Sequence, residues 1–246
     1  MVGISVSVVI PCADQSRYLP TAVASVALQT HPPDEIIVVH PAEDTATAAV
    51  AKRLNQRHRR LVVISVGERH PAGARNAGLR AAQGNFIGFL DADDAWTRTK
   101  LSMQLARLAA LPELAAVGGL TLLCEDIDDE ALDPIAVRGE PVCAPSFGAL
   151  LCRRTVFDRI GLIDAELFYC EDMEFYMRMR DLGVDFRVLG DVVQYYRQHP
   201  ESLMHANTSR KESDFRRAVL KSIRRRKSLG LGPAKALVLS DSVDRI

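Results

Sequence analysis

The chain has 246 residues, 48% hydrophobic and 25% charged, which is enough apolar side chain for a full core and excludes a disordered or fibrous composition. Its 31 Lys and Arg balance 31 Asp and Glu, so overall charge gives no reason to expect nucleic acid as a partner. Five Cys (Cys12, Cys124, Cys143, Cys152, Cys170) form no C-x-x-C pair and leave one over, arguing against a disulfide framework or zinc site and for packing thiols in a reducing compartment.

Residues 1–10 lack a basic stretch ahead of their apolar run, so no signal peptide is read there. The most apolar later stretch, 105–123, is interrupted by Arg107, Pro112 and Glu113 and is no membrane span. A cytoplasmic protein is the expectation. The β-branched run at 6–10, ended by Pro11, predicts a buried strand, followed by a polar turn (Asp14, Gln15, Ser16) and a helix over 19–29. His31-Pro32-Pro33 breaks that helix. Residues 35–39 are a second strand of the kind a two-sided parallel sheet requires, and its end carries His40-Pro41-Ala42-Glu43-Asp44. A helix through 46–54, a basic patch at 57–60 and a strand at 61–66 follow. This alternation predicts an α/β, Rossmann-like doubly wound sheet.

Gly73-Ala74-Arg75-Asn76-Ala77-Gly78 opens the next helix, and small residues at a helix entrance suit a diphosphate. Taken alone, Gly73 and Gly78 read equally as turn and packing residues, and Arg75 as a surface charge. The central stretch is Gly84-Asn85-Phe86-Ile87-Gly88-Phe89-Leu90-Asp91-Ala92-Asp93-Asp94-Ala95-Trp96. An apolar run ends abruptly at three carboxylates, placing them at the C-terminal end of a buried strand, where open α/β sheets bind ligands. A turn after Leu90 would converge Asp91 and Asp93 on one cation, and hard oxygen ligands imply Mg2+ or Mn2+. Asp94 reads as the cap of a helix starting near Trp96.

An amphipathic helix is expected over 100–111 and a strand over 115–123. The acidic segment 124–142 reads as a surface loop. A short helix ends at Gly161, and Glu171-Asp172 open a helix whose dipole favours ionised carboxylate; capping and a general base are the two readings. A strand at 188–193 leads into Tyr195-Tyr196-Arg197-Gln198-His199-Pro200.

The ordered set of motifs over roughly residues 5–205 resembles the family 2 glycosyltransferases of GT-A fold, inverting enzymes that use nucleotide-sugar donors. It rests on Val8-Val9-Ile10-Pro11 with Tyr18-Leu19, residues 35–39, Ala74-Arg75-Asn76-Ala77-Gly78, Gly84 to Asp94 with Trp96, and Gly161 to Asp164 leading into Glu171-Asp172. The resemblance implies a GT-A, Rossmann-like nucleotide-diphospho-sugar transferase fold: a mostly parallel central sheet with helices on both faces, plus a C-terminal helical tail. It implies a catalytic domain over 1–205 and a basic tail over 206–246. It also implies a DXD motif at Asp91-Ala92-Asp93, with Asp93 the direct ligand of Mn2+ or Mg2+ and Asp91 nearer the ribose and the ion's outer shell. Asp172 is then the catalytic base, Glu171 and Trp96 orient the site or meet the acceptor, and Pro11, His40, Arg75, Asp91, Ala92, Arg197 and His199 bind the donor. The expected partners are a nucleoside-diphosphate sugar and an acceptor that is a glycan, a lipid-linked molecule or a small molecule.

One departure stands out. Members usually end the second strand with an Asp-Asp-Gly-Ser type sequence whose acid reads the donor base, where this chain has His40-Pro41-Ala42. Asp44 is a candidate substitute from further along the loop. A degenerate GT-A protein acting as a binding or scaffold module is the alternative function. In the tail, Phe215, Val219 and Ile223 recur at four-residue spacing, predicting a helix that carries Arg210, Lys211, Arg216, Arg217, Lys221 and Arg224 to Lys227. A solvated basic helix packed on the catalytic domain is expected; peripheral contact with an anionic surface at the inner membrane face is the alternative. Residues 234–246 are uninformative and read as partly disordered.

Overall fold

A computed structural model describes residues 3–67, 69–200, 202, 208–234 and 243–244. Its first half repeats one unit: β1 (Val6–Pro11), α1 (Leu19–Ala27), β2 (Glu35–Pro41), α2 (Thr45–Arg57), β3 (Leu61–Val66), α3 (Pro71–Ala81) and β4 (Phe86–Phe89). β1 lies between β2 and β4, both parallel to it, and β3 continues the parallel order outside β2. β1 and β2 are apolar on both pleat faces because helices cover both. Val8, Ile10 and Val38 pack with α1, while Val9, Ile37 and Val39 pack with α3 on the other side. Gly78 is a packing residue there, since a Cβ would sit 2.3 Å from a methyl of Val9.

The second half is more mixed: β5 (Ala95–Trp96), α4 (Lys100–Ala110), β6 (Ala116–Ile127), β7 (Pro134–Val137), β8 (Leu151–Arg153), α5 (Arg154–Ile160), α6 (Glu171–Asp181), β9 (Phe186–Arg197), α7 (Thr208–Ser228) and β10 (Val243–Asp244). Among the described residues the sheet order is β10-β9-β6-β8-β4-β1-β2-β3, with β5 on β9 and β7 on β6. β8 is antiparallel to both β4 and β6, and β6 and β9 run parallel. The mostly parallel sheet with helices on both faces is therefore present, with antiparallel insertions on one side.

Two local expectations fail here, each for a packing reason. No helix starts near Trp96: that residue pairs with Gln194 as part of β5, and α4 begins at Lys100. The indole is 1% exposed, donates from Nε1 to the Gly148 carbonyl at 2.7 Å and lies where a Cβ on Gly88 would be only 2.9 Å from it, so a closed pocket outweighs helix propensity. Lys100 is wholly buried, its ammonium 4.5 Å from the Trp96 ring and 2.6 Å from Gln104 Oε1. The acidic segment is no plain loop, because β6 runs on to Ile127 and β7 returns beside it, with Cys124 and Ile127 buried with Ala95. The strand β8 was hidden in an apolar stretch that showed no alternation.

The tail helix forms as α7, packed through a face about 100° round from its Phe215-Val219-Ile223 row. Asp214, Ala218 and Ser222 are buried against the body, whereas Phe215, Leu220 and Ile223 are exposed. Most of the expected disordered terminus, residues 235–242 and 245–246, lies outside the described residues.

Candidate active site

β4 stays buried through Leu90, and the chain then turns sharply, Asp94 N donating to the Asp91 carbonyl at 3.1 Å. Asp94 is not a helix cap. Its carboxylate is 1% exposed and accepts Gln194 Nε2 at 2.6 Å and the Arg197 backbone N–H at 3.0 Å, tying this turn to the end of β9. That tie brings Arg197 and His199 over the turn.

Asp91 and Asp93 take different partners. Asp93 Oδ2 lies 3.1 Å from His199 Nε2, and the His199 ring sits 4.8 Å from that of Tyr18. The Arg197 guanidinium lies over Tyr18 at 4.4 Å and donates to Asp126 at 2.6 Å. Tyr18 and Asp126 carry no sequence signal for this role; one precedes a helix and the other belongs to an acidic segment that read as solvated. Asp91 instead accepts from Arg75 Nη2 at 2.5 Å, while Arg75 Nη1 donates to Glu171 at 2.7 Å. Arg75 is no surface charge: it is 5% exposed and joins the β4 turn to the start of α6.

Burial disfavours the Arg75 charge, yet Asp91, Glu171 and Asp172 more than offset it and raise its pKa. Burial likewise pushes Asp172 up to about 6, against the Met173 N–H bond and Arg75, and Glu171 up to about 7, against Arg75. The two carboxyls are neighbours, so these protons belong to the pair. The result is a carboxyl pair of nearly neutral pKa beside a fixed cation.

Several buried polar atoms here lack a protein partner: the donors Arg75 Nε and Arg197 Nε and Nη2, and His199 Nδ1, whose role depends on the ring tautomer. Buried N–H groups are rarely left unpaired, and this set suits an anion with several oxygens. No group of three His, Cys, Asp or Glu among the described residues is arranged to hold an ion. Asp93 is a single hard carboxylate donor, which fits Mg2+ or Mn2+ that takes its remaining ligands from phosphate and water, and the His199 imidazole beside it is hydrogen-bonded to that carboxylate.

The remaining expected residues are placed as follows. Pro11 closes β1 opposite Val39, and Ala92 is buried in the turn. His40 is 5% exposed with Nδ1 2.8 Å from the Pro41 carbonyl. Asp44 is 5% exposed and caps α2, its Oδ1 accepting Thr47 N–H at 3.0 Å while Oδ2 accepts Asp14 N–H at 2.7 Å. Trp96 has no open face for an acceptor, which leaves only the orienting part of its expectation. The N-terminus of α3 is less open than expected, since His70 Nδ1 accepts from Gly73 N at 3.3 Å.

A model of glycosyl transferase family 2 matches residues 7–143. An uncharacterized glycosyltransferase of Nostoc sp. is 29% identical over 177 residues, covering 65% of this chain and 54% of its own length, so the chain spans about half of that relative. The Escherichia coli UDP-Glc:α-D-GlcNAc-diphosphoundecaprenol β-1,3-glucosyltransferase WfaP is 26% identical over 207 residues, 80% of this chain and 79% of its own. Among solved structures, a mannosyltransferase of Pyrobaculum calidifontis in complex with GDP-Man and Mn2+ superposes with TM-score 0.69 at 21% identity, covering 94% of this chain and 65% of the other, a likeness of fold that agrees with the GT-A arrangement. The chain belongs to glycosyl transferase family 2.

Proposed function

We propose that the chain transfers a sugar from a nucleoside-diphosphate donor to an acceptor hydroxyl by one inverting displacement. The observation that carries this reading is the Arg75 bridge, which joins Asp91 in the turn after β4 to Glu171 beside Asp172 at the start of α6. Asp172 takes the proton of the acceptor hydroxyl as its oxygen attacks the anomeric carbon, and the bond to the diphosphate breaks on the opposite face. Glu171, held by Arg75, orients the site. Arg197 receives the diphosphate through its unpaired Nε and Nη2, His199 closes over it from beside Asp93, and Asp93 would hold Mn2+ or Mg2+. The ion, when bound, neutralises charge developing on the departing diphosphate. One base suffices for inversion; a glycosyl-enzyme would need a second carboxylate across the sugar. The family match ends at residue 143, so the roles of Asp172, Arg197 and His199 rest on this geometry.

The related proteins use different bases, UDP-Glc for WfaP and GDP-Man for the Pyrobaculum enzyme, and the His40 corner lacks the usual acid. The test is therefore thermal stabilisation by UDP, GDP, CDP, ADP and TDP with and without Mn2+. One diphosphate should stabilise in a metal-dependent way that Asp93→Ala abolishes, and Asp172→Asn should keep that binding while losing release of the diphosphate from its sugar. No stabilisation by any of the five would instead favour a degenerate module with a binding or scaffold role.

The outward side of α7 extends the reading to a surface. Exposed Phe215, Leu220 and Ile223 are interleaved with Arg216, Arg224 and Lys227 over one broad side of the helix. No helix among the described residues is long and apolar enough to cross a membrane. Peripheral contact with anionic lipid is the fitting role, and co-sedimentation with anionic vesicles should fall with salt and in Ile223→Ser; no salt-sensitive binding removes it.

A further inference from the structure

The turn that presents Glu171 and Asp172 is not held by its own residues. Cys170, immediately before α6, has φ 61° and ψ 19°, a left-handed conformation that a non-glycine residue adopts only at a cost. Its side chain makes no capping bond to α6. The support comes from α7, some 45 residues later. Asp214, whose side chain is 4% exposed, accepts from Phe168 N at 3.0 Å and Tyr169 N at 3.1 Å through one oxygen. Lys221 bridges Asp164 and Glu166 at the start of the same loop. Arg210 covers the Phe168 ring at 4.5 Å and Lys211 the Tyr169 ring at 5.5 Å. Further along, Arg225 donates to Glu174 at 2.6 Å and to Asp181 at 3.0 Å, while Ser222 donates to Asp181 at 2.6 Å, clamping α6 itself.

We infer that Asp214 is a positioning residue for the transfer reaction: by accepting the Phe168 and Tyr169 N–H groups it holds Cys170 in its left-handed turn and so aims Asp172 at the acceptor. This rests on reading Asp172 as the base. The donor side stands on β4 and β9 and makes no contact with Asp214, so the effect falls on turnover and leaves donor binding alone. A misplacement of about 1 Å in a catalytic group costs on the order of 100-fold.

The test measures nucleoside-diphosphate release from the sugar nucleotide whose diphosphate stabilises the chain, together with amide exchange at Phe168 and Tyr169. Asp214→Ala should lower kcat about 10- to 100-fold with donor KM within about two-fold, and should lose protection at both amides. Asp214→Asn keeps an acceptor oxygen and should stay within a few-fold of the parent, which also covers the case in which the alanine variant does not fold. Adding Cys170→Gly to Asp214→Ala should recover part of kcat, because glycine adopts the left-handed turn without penalty. A purely structural contact would not respond to that second change. Unaltered protection in Asp214→Ala, lost protection with parental kcat, or kcat and donor binding falling together would overturn the inference. Failure of the base reading shows separately, as unchanged release in Asp172→Asn.

Discussion

The two carboxylate groups of the cleft are held in different ways. Asp91, Asp93 and Asp94 sit on a turn closed by its own backbone and pinned by a strand, since Asp94 accepts from both Gln194 and Arg197 of β9. Glu171 and Asp172 sit after a left-handed residue and depend on side chains from distant elements, Arg75 of α3 and Asp214 of α7. The first group inherits its precision from the sheet, while the second has to be propped. Substitutions on the β4 side should therefore damage binding and stability together, and those on the α6 side should damage turnover first.

Arg75 is where the two meet, so its loss should have the largest effect. Arg75→Met leaves Asp91 and Glu171 without their cation, with Glu171 almost wholly buried. Removing one partner of a buried pair costs about 3–5 kcal/mol, read as a lowered urea midpoint, and both diphosphate binding and turnover should fall. A change under about 1 kcal/mol would mean that the two halves hold their places independently of Arg75. Next comes Asp94→Ala, confined to the strand-held group. It strips the acceptor from Gln194 Nε2 and Arg197 N, costs about 1–3 kcal/mol and should weaken diphosphate binding as Arg197 and His199 shift. Parental binding in this variant would break the link between that turn and the end of β9.

This difference in support also decides what could be read from the sequence. The strands β1 and β2 are legible because a parallel sheet buried on both faces demands apolar runs rich in β-branched residues, as at 6–10 and 35–39; β3 at 61–66 has the same composition although it is only partly buried, with Val62 45% exposed. The Asp cluster is legible because an apolar strand stops at it. Asp94 was misread because capping is a local rule, whereas its partners lie 100 and 103 residues away. Trp96 escapes a local reading for the same reason: its indole bonds the Gly148 carbonyl, 52 residues away. The inward face of α7 was hidden most deeply. Hydrophobic spacing pointed to Phe215, Val219 and Ile223, yet α7 docks through Asp214, Ala218 and Ser222, because its contacts with α6 and the preceding loop are chiefly polar. Polar complementarity has no periodic signature.

The propped pair should reveal itself in pH dependence. Burial raises Glu171 and Asp172 above ordinary carboxyls, so the folded chain binds these protons more tightly than the unfolded one. Their contribution to stability is fully present below about pH 4, the unfolded value, and is lost as pH rises through about 6 and 7. The urea midpoint of Asp172→Asn, compared with the parent between pH 4 and 8, should therefore decline less. Turnover runs the other way, since a base must be ionised: kcat should climb with pH and level off above a limb near 6. Parallel stability profiles would show that Asp172 is ordinary, whatever its role.

The smallest effect belongs to the rim of the strand-held group. Asp126 pairs with Arg197 at 2.6 Å, but its side chain is 47% exposed while that of Arg197 is 4% exposed. Such a pair contributes about 0–1 kcal/mol, so Asp126→Asn should barely move the urea midpoint. Its consequence lies in competition. A diphosphate entering the cleft must share or replace that carboxylate at the Arg197 guanidinium, whose Nε and Nη2 are unpaired. Removing the negative charge should thus tighten diphosphate binding a few-fold at low salt, with the gain shrinking as ionic strength rises, because an exposed charge is screened within about 10 Å at 0.1 M salt. Weaker binding in Asp126→Asn would reverse the assignment, making Asp126 the group that keeps Arg197 aimed over Tyr18 and the β4 turn.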